Sequence, residues 1–430
     1  MTRYISILAL LLALLVGATS LRAEIGIVFG PGPRALDNQT LFAPNTVPVW
    51  RDLQEAGIQE ILLNGTFLSR TELRYRSDEA GTRPVRPEGT YLRASDLRDL
   101  ADLQHELGLR ISYEAGAGLA GEICDPELTP EERGRQAAQR EFNETLLRLK
   151  EAGISVAALN VDGPFLRLIE GSGKRGSCEW LERGLGIDPT VRTVQSYLQT
   201  IRNLVASANV DKNPPQLRLV VNLTNWQIRD LPRRGDKGGR GGRVDLADVL
   251  IAFADLQAGH PVPVILSEVV IDYPYALVVA DPKLFRDRNR HLWNATRGLN
   301  GTQPGPSFGY ITNTLSYTNA CLGKEPKADV AFLPYMQGGR PISNACQRAQ
   351  TGENTPPNDR NDSDADYLRD SLTYADALRP GGTLADQLSV GDGTAIPDHI
   401  AHFYMQSWGM NPLRNLWFAD QLADQLREGH

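Results

Sequence analysis

Residues 94–114, ASDLRDLADLQHELGLRISYE, contain the unit whose repetition decides the fold. The span Ala94–Leu107 predicts a helix, and Gly108 ends it because glycine readily adopts the left-handed conformation that closes helices. Leu109–Glu114 follows directly as a short apolar run, which is typical of a buried strand. The stretch therefore predicts a helix, a stop and a strand in immediate succession.

This unit recurs along the whole chain. Gly57 and Gly153 also stand between a predicted helix and a predicted strand, as Gly108 does. The predicted strands are Glu24–Gly30, Ile58–Asn64, Leu109–Glu114, Ile154–Asp162, Leu217–Asn222, Val262–Tyr273, Phe308–Thr314 and Ile400–Ser407. The predicted helices are Val49–Ala56, Ala94–Leu107, Thr129–Ala152, Thr190–Ala208, Leu246–Ala258, Asp281–Gly298 and Asn415–Leu426.

Eight strands of this kind predict a closed parallel barrel. Strands that are apolar along their length are expected in a parallel sheet covered on both faces. Their number and alternation with helices favour a (β/α)8 TIM barrel over an open doubly wound sheet. Residues 24–430 exceed the ~250 residues of a typical barrel, so we expect inserted loops at Phe67–Pro87 and, after strand seven, at about 316–397. No linker divides the chain, and we predict a single barrel domain over 24–430.

The composition is that of a mildly acidic globular protein. Hydrophobic residues make up 41% and charged residues 23%, and 45 Lys and Arg face 52 Asp and Glu, which gives a net charge of −7. The apolar share excludes wholesale disorder. The lack of a basic surplus argues against nucleic acid as a general partner.

Residues 1–23 have the pattern of a cleavable secretory signal. Arg3 precedes the apolar run Ile5–Ala18, and Ala23 supplies a small residue at the expected cut site. The apolar run is shorter than the ~20 residues that a membrane-spanning helix needs, which disfavours the alternative of an uncleaved anchor. We therefore expect a secreted or periplasmic protein with no membrane partner after cleavage.

Export changes the interpretation of the four cysteines. An even number of cysteines in an oxidising compartment favours disulfides, and three connectivities are possible. We prefer Cys124–Cys178, whose members fall in neighbouring loops of the predicted barrel, and Cys321–Cys346, whose members share the insertion after strand seven.

Polar residues follow the predicted strands at their carboxyl ends, where TIM barrels carry their active sites. Carboxylates, amides and aromatic side chains are expected to converge there. Besides Asn64, these residues are Glu114, Asn160, Asp162, Arg167, Asn222, Trp226, Glu268, Asp272, Tyr273, Tyr275, Asn313, Gln406 and Trp408.

This set of residues suits glycoside hydrolysis, which needs two carboxyl groups flanking the scissile bond. The motifs Asn160-Val-Asp162-Gly at strand four and Ile-Asp272-Tyr273 at strand six resemble those of secreted TIM-barrel glycoside hydrolases, in the arrangement of the α-galactosidase-type clan. The resemblance implies a nucleophile at Asp162 and an acid/base at Asp272. Glu268 is the alternative acid if strand six ends there. The aromatic and amide residues, together with Glu114 and Arg167, would bind a carbohydrate substrate.

Each of these residues also has a structural interpretation. Asp162 could merely begin the Asp-Gly-Pro turn, Asp272 could cap the following loop, and Glu114 could pair with Arg167. Trp226 and Trp408 could belong to the core.

Particular residues could indicate other functions. The sequence Gly116-Ala-Gly118-Leu-Ala-Gly121 matches the dinucleotide fingerprint, but Pro126 separates it from the next predicted helix, so no cofactor is expected. A metal-dependent phosphodiesterase or deacetylase would need histidine and aspartate ligands at strand ends, and the six histidines fall mostly elsewhere, so no metal is expected. A non-catalytic carbohydrate-binding barrel remains the main alternative.

Overall fold

The fold is described from a computed structural model. It describes residues 25–33, 35, 37–69, 89–120, 127–169, 185–223, 226, 244–301, 303–313, 363–390, 393–406 and 411–429. The predicted signal segment, the four cysteines and Trp408 lie outside these residues.

Eight parallel strands close into a barrel in sequence order, so the predicted (β/α)8 fold is confirmed. The strands are β1 Gly26–Phe29, β2 Ile58–Asn64, β3 Arg110–Ala115, β4 Val156–Asp162, β5 Gln216–Asn222, β6 Glu268–Asp272, β7 Ser307–Ile311 and β8 Ile400–Met405. β1 pairs with β8, with Gly26 opposite His402, and this pairing closes the ring.

One principal helix follows each strand. The helices are α1 Val47–Glu55, α2 Ala94–Leu107, α3 Pro130–Glu141, α4 Ile187–Ala208, α5 Leu246–Gly259, α6 Pro282–Thr296, α7 Ser363–Leu378 and α8 Asn415–Glu428. After α3 the chain continues through a π-helical turn, Phe142–Leu146, into Leu147–Glu151. Shorter helices are Asn38–Thr40, Pro44–Thr46, Gly65–Leu68, Ala117–Ala120, Pro164–Ile169, Tyr275–Ala280, Ala385–Leu388 and Ile396–His399.

The glycine stops behave as predicted. Gly57, Gly108 and Gly153 all have positive φ angles, of 96°, 64° and 80°. A side chain is strained in this conformation, whereas glycine is not. Each glycine therefore lets a helix end and a strand begin within a few residues.

Strand six is shorter than the predicted run Val262–Tyr273, because only Glu268–Asp272 pairs with its neighbours. Val262 and Ile265 are largely exposed. Pro263 lies inside the apolar run, and proline lacks the N–H group that a central strand needs for its ladder of hydrogen bonds. The prediction for strand six was therefore too long, because it followed hydrophobicity alone.

Helix α7 lies inside the range expected to be an inserted loop. Tyr374 and Leu378 of this helix are buried in the core, and Tyr374 stacks on Tyr275 with ring centroids 5.2 Å apart. Asp364 is buried too, and it accepts hydrogen bonds from the Nδ2 of Asn411 at 2.8 Å and from the backbone N–H of Leu413 at 3.0 Å. The late helix thus completes the outer ring after β7.

The apolar core has two parts, which the alternation of side chains along each strand separates. The larger part fills the space between barrel and helices, where Phe29 contacts Trp50 of α1 and Phe418 of α8. A smaller cluster fills the middle of the barrel, formed by Val28, Leu62, Val220, Val270, Ile311 and Tyr404. Polar side chains lie above and below this cluster.

Candidate active site

Inward-facing residues at the carboxyl ends of the strands form the candidate site. Asp162, Asn222 and Asp272 continue the inward-facing positions of β4, β5 and β6, and Asn222 is paired with Asp272 in register. The mouth of the barrel therefore brings together Asn64, Glu114, Asp162, Asn222, Asp272, Asn313 and Gln406, all expected at strand ends.

Asp272 is a buried carboxyl group held by two amides. Its side chain is 6% exposed, and it accepts hydrogen bonds from the Nδ2 of Asn222 at 2.7 Å and from the Nδ2 of Asn313 at 3.1 Å. Burial raises the pKa of Asp272 to about 7, the negative charges of Asp162 and Glu114 raise it as well, and the two amide donors oppose them. A substantial fraction of Asp272 is thus protonated at neutral pH.

Asp272 does not cap the loop that follows it, which was its structural alternative, because the donors to its carboxyl group are the amides of Asn222 and Asn313. The short helix Tyr275–Ala280 begins after Pro274, and the backbone N–H of Tyr275 donates to the carbonyl of Asn313 at 3.0 Å. The carboxyl group is therefore free of a capping function and points into the barrel mouth with its amides.

Asp162 forms an ion pair with Arg167. The Nε of Arg167 donates to the backbone carbonyl of Asp162 at 2.9 Å, and a guanidinium Nη donates to its carboxylate. Gly163, with a φ of 51°, turns the chain into the helix Pro164–Ile169, which returns Arg167 to the strand end. The alternative partner expected for Arg167 was Glu114, and this pairing is wrong.

Glu114 instead contacts the opposite side of the mouth. The Nε2 of Gln406, which follows β8, donates to Oε2 of Glu114 at 2.5 Å. Gly30, after β1, gives Gln406 the room to cross, because a Cβ at Gly30 would lie 2.8 Å from the Cβ of Gln406. Glu114 and Gln406 therefore tie β3 to β8.

Glu268 lies at the other end of the barrel. It is the first residue of β6, so the alternative in which strand six ends there is wrong. It lies four positions before Asp272, or about 13 Å along a strand. Its Oε2 accepts from the hydroxyl of Tyr404 at 2.8 Å and lies 3.0 Å from the Nδ1 of His402. With buried Arg218 and Glu60, these groups form an ionic network at the end of the barrel opposite the mouth, which we call the barrel floor.

Several expected site residues pack elsewhere. Tyr273 follows Asp272 directly and faces the helices, with its ring 5.2 Å from that of Phe285. Trp226 is 2% exposed and belongs to the apolar core. Asn160 is buried one inward position below Asp162, where its Oδ1 lies 3.4 Å from a guanidinium nitrogen of Arg218.

Sequence reasoning missed one group behind the site, the carboxylate of Glu141 in α3. It accepts hydrogen bonds from the backbone N–H groups of Gly116 and Gly118. These are the first two glycines of the dinucleotide-like motif, so their N–H groups already bind an anion of the chain itself. In the sequence nothing distinguishes Glu141 from the other acidic residues of that helix.

Within the described ranges, no three His, Cys, Asp or Glu side chains are grouped so as to hold a metal ion. Among the helices described, none has the length and apolarity needed to cross a bilayer.

No family model matches the chain, and no curated protein matches it. A glycoside hydrolase family 5 enzyme from Prevotella bryantii B14 is 12% identical with a TM-score of 0.37, over 95% of this chain and 97% of that enzyme. An α-amylase from Lactobacillus plantarum is 12% identical with a TM-score of 0.34, over 67% of this chain and 62% of the amylase.

Not all similar structures are glycosidases. A sugar phosphate isomerase/epimerase from Parabacteroides distasonis is 12% identical with a TM-score of 0.33, over 95% of this chain and 96% of that enzyme. At such identities and scores these similarities do not decide the chemistry. The closed strand order of the chain itself makes it a (β/α)8 barrel, and its function has to be inferred from the residues at the mouth.

Proposed function

We propose that the protein is a glycoside hydrolase in which Asp272 is the acid/base and Asp162 the second carboxylate. The observation that carries the proposal is the contrast between the two groups at one barrel mouth. Asp272 is buried, with a pKa raised to about 7, whereas Asp162 is paired with a guanidinium, which is a permanent cation. A pair of carboxyl groups in opposite protonation states is what glycosidic cleavage requires.

In the proposed reaction Asp272 donates its proton to the glycosidic oxygen as the bond to the anomeric carbon breaks. The Asp162 carboxylate either attacks that carbon or removes a proton from the water that does so. Once Asp272 has lost its proton, the amides of Asn222 and Asn313 already donate to both of its oxygens. The site therefore needs little rearrangement to stabilise the carboxylate that forms.

The substrate class we propose is a poly- or oligosaccharide outside the cytoplasm. The signal pattern of residues 1–23 supports this location, and the disulfides expected at Cys124, Cys178, Cys321 and Cys346 would form there. Tyr275, three positions after the end of β6, is partly exposed, and we propose that it contacts a sugar ring.

Hydrolysis of a polysaccharide panel by the purified protein tests the proposal. Asp162→Asn and Asp272→Asn should each lower kcat by orders of magnitude with the fold intact, because each removes an ionisable oxygen at nearly constant shape. Asp248→Asn, at an exposed position of α5, is the matched control and should retain full activity. Near-full activity of Asp162→Asn or Asp272→Asn would contradict the assignment.

The same experiment separates the other functions. Binding of a glycan without hydrolysis would indicate a carbohydrate-binding barrel, and activity abolished by EDTA would indicate a metal-dependent enzyme. The anomeric configuration of the first product released by the unaltered protein would identify the role of Asp162, because a nucleophilic carboxylate gives retention whereas a general base acting on water gives inversion.

A further inference from the structure

Glu141 is a fully enclosed carboxylate with donors from three elements. Tyr113 of β3 donates its hydroxyl to Oε1 at 3.2 Å, and Tyr197 of α4 donates to Oε2 at 2.7 Å. The backbone N–H groups of Gly116 and Gly118 reach the carboxylate at 3.1 Å and 2.7 Å. Burial raises the pKa of both tyrosines well above the ordinary value, so both stay protonated as donors.

The loop that Glu141 holds has no room for a side chain at Gly116 or Gly118. A Cβ at Gly118 would lie 2.3 Å from the carbonyl oxygen of Ala137 and 3.0 Å from the Cβ of Glu141. Gly116 has a φ of 107°, and a Cβ there would lie 3.0 Å from the carbonyl oxygen of Asp162. The turn is therefore pressed between α3 on one side and the main chain of Asp162 on the other.

This turn begins two residues after Glu114, at the end of β3. The backbone of this turn lies against that of Asp162. Hydrogen bonds to a charged acceptor are roughly twice as strong as neutral ones, so a carboxylate fixes such a turn more firmly than a neutral side chain would. The π-helical turn Phe142–Leu146 starts directly after Glu141, and such turns are frequent at functional sites.

We infer that Glu141 is a positioning residue of the active site, which fixes the turn at Gly116 and Gly118 and thereby holds Glu114 and Asp162 in place. This inference rests on the proposed function of the mouth. It also assigns a purpose to the glycine motif after β3, whose N–H groups bind the chain's own carboxylate.

The test measures the pKa of Asp272, which responds to the charged groups around it. The charged groups that act on its carboxyl group are Asp162 from β4 and Glu114 from β3, and both raise its pKa. Glu114→Gln should therefore lower the pKa of Asp272. If Glu141 acts by holding Glu114, Glu141→Gln should lower it too, by about 0.5 or more, and the double variant should show no further decrease.

The measurement is a carbon-13 titration of aspartate side chains, in which the Asp272 signal is assigned by its loss in Asp272→Asn. Glu144→Gln, on the exposed side of the same helical segment, is the control and should leave the titration unchanged. Equal and additive shifts in the double variant would show that Glu141 acts only through its own charge, and would overturn the inference. So would an unchanged titration in Glu141→Gln.

A milder variant covers the case in which Glu141→Gln does not fold. Tyr197→Phe keeps the ring but removes the hydroxyl that donates to Glu141 and accepts from Gly116 at 2.9 Å. It should lower the pKa of Asp272 in the same direction by a smaller amount, and an unchanged pKa would count against the inference. On an active substrate both variants should lower kcat at least tenfold with KM nearly unchanged. Absence of hydrolysis in the unaltered protein would refute the proposed function, whereas the titration would still test Glu141.

Discussion

Arg167 binds Asp162 at two points, the backbone carbonyl through Nε at 2.9 Å and the carboxylate through a guanidinium Nη. The pairing is local, since Arg167 lies five residues further along the chain, on the short helix that Gly163 introduces. The geometry fixes both the position of the carboxylate and the charge beside it.

We expect Arg167→Gln to lower kcat/KM by about 10- to 100-fold, which corresponds to the loss of a hydrogen bond between charged groups. Arg167→Lys should recover part of this loss, because lysine restores the charge but not the two-point geometry. Steady-state kinetics on the substrate found in the panel measure both effects. A change of less than twofold in Arg167→Gln would show that the ion pair is structural.

Replacing the amides beside Asp272 should move the pH dependence of activity upward. Asn313→Ala and Asn222→Ala each remove a donor that favours the charged carboxylate, so the pKa of Asp272 should rise above about 7. The acid would then remain protonated at higher pH, and the decline of kcat/KM on the alkaline side should shift upward. A downward shift in either variant would contradict the role of Asp272 as the acid.

Asp272 should also make the protein less stable as the pH rises from about 4 to neutral. Its pKa is raised from an ordinary value of 3.8 to about 7, so the folded state binds a proton that the unfolded state has already lost. The free energy of unfolding should fall as pH rises between these values, by on the order of 4 kcal/mol.

The stability of Asp272→Asn relative to the unaltered protein should therefore increase from pH 4 to pH 8. Urea unfolding at several pH values measures the difference, with Asp248→Asn as a control that should show no such trend. A pH-independent difference for Asp272→Asn would mean that Asp272 has the same pKa in the folded and unfolded protein, so its pKa would not be raised.

Glu268→Gln should affect stability rather than the reaction. Glu268 is buried on the barrel floor beside Arg218, Tyr404 and His402, and removing one partner of a buried ionic network costs about 3 kcal/mol. Arg218 keeps its pairing with Glu60, so the variant should still fold. Loss of activity at unchanged stability would place Glu268 in the reaction after all.

Signal cleavage and disulfide formation can both be tested on the exported protein. If residues 1–23 are a cleaved signal, intact mass and amino-terminal sequencing of the exported protein should show a chain that begins at Glu24. Peptide mapping without reduction should recover Cys124 linked to Cys178 and Cys321 linked to Cys346. A retained leader or free thiols would contradict these expectations.

The repeated helix–strand unit could be predicted from the sequence because the patterns that define it are local. Helix α2 and strand β2 have the predicted bounds, Ala94–Leu107 and Ile58–Asn64. Apolar runs, glycine stops and their alternation depend on neighbours along the chain, and they fixed the class of fold. The ends of the strands then located Asp162 and Asp272, because parallel strands in a barrel all end at the same face.

Only the tertiary structure decided which polar groups meet and at what depth. Asn222, Asn313 and Gln406 were expected to bind substrate, yet they hold carboxyl groups of the site. These contacts join strands that are distant in sequence, and their partners depend on register. Alternation likewise turns Tyr273 to the helices, away from the mouth to which Asp272 points.

The depth of a side chain along the barrel axis is a second property that the sequence alone does not show. Glu268 and Asp272 both face inward from one strand, but one belongs to an ionic floor and the other to the mouth. No local sequence pattern predicts the contacts of Glu141, because its donors come from β3, α4 and a glycine turn. Local pattern determines where strands and helices form, whereas the environment of a charge is set by whatever the closed barrel packs around it.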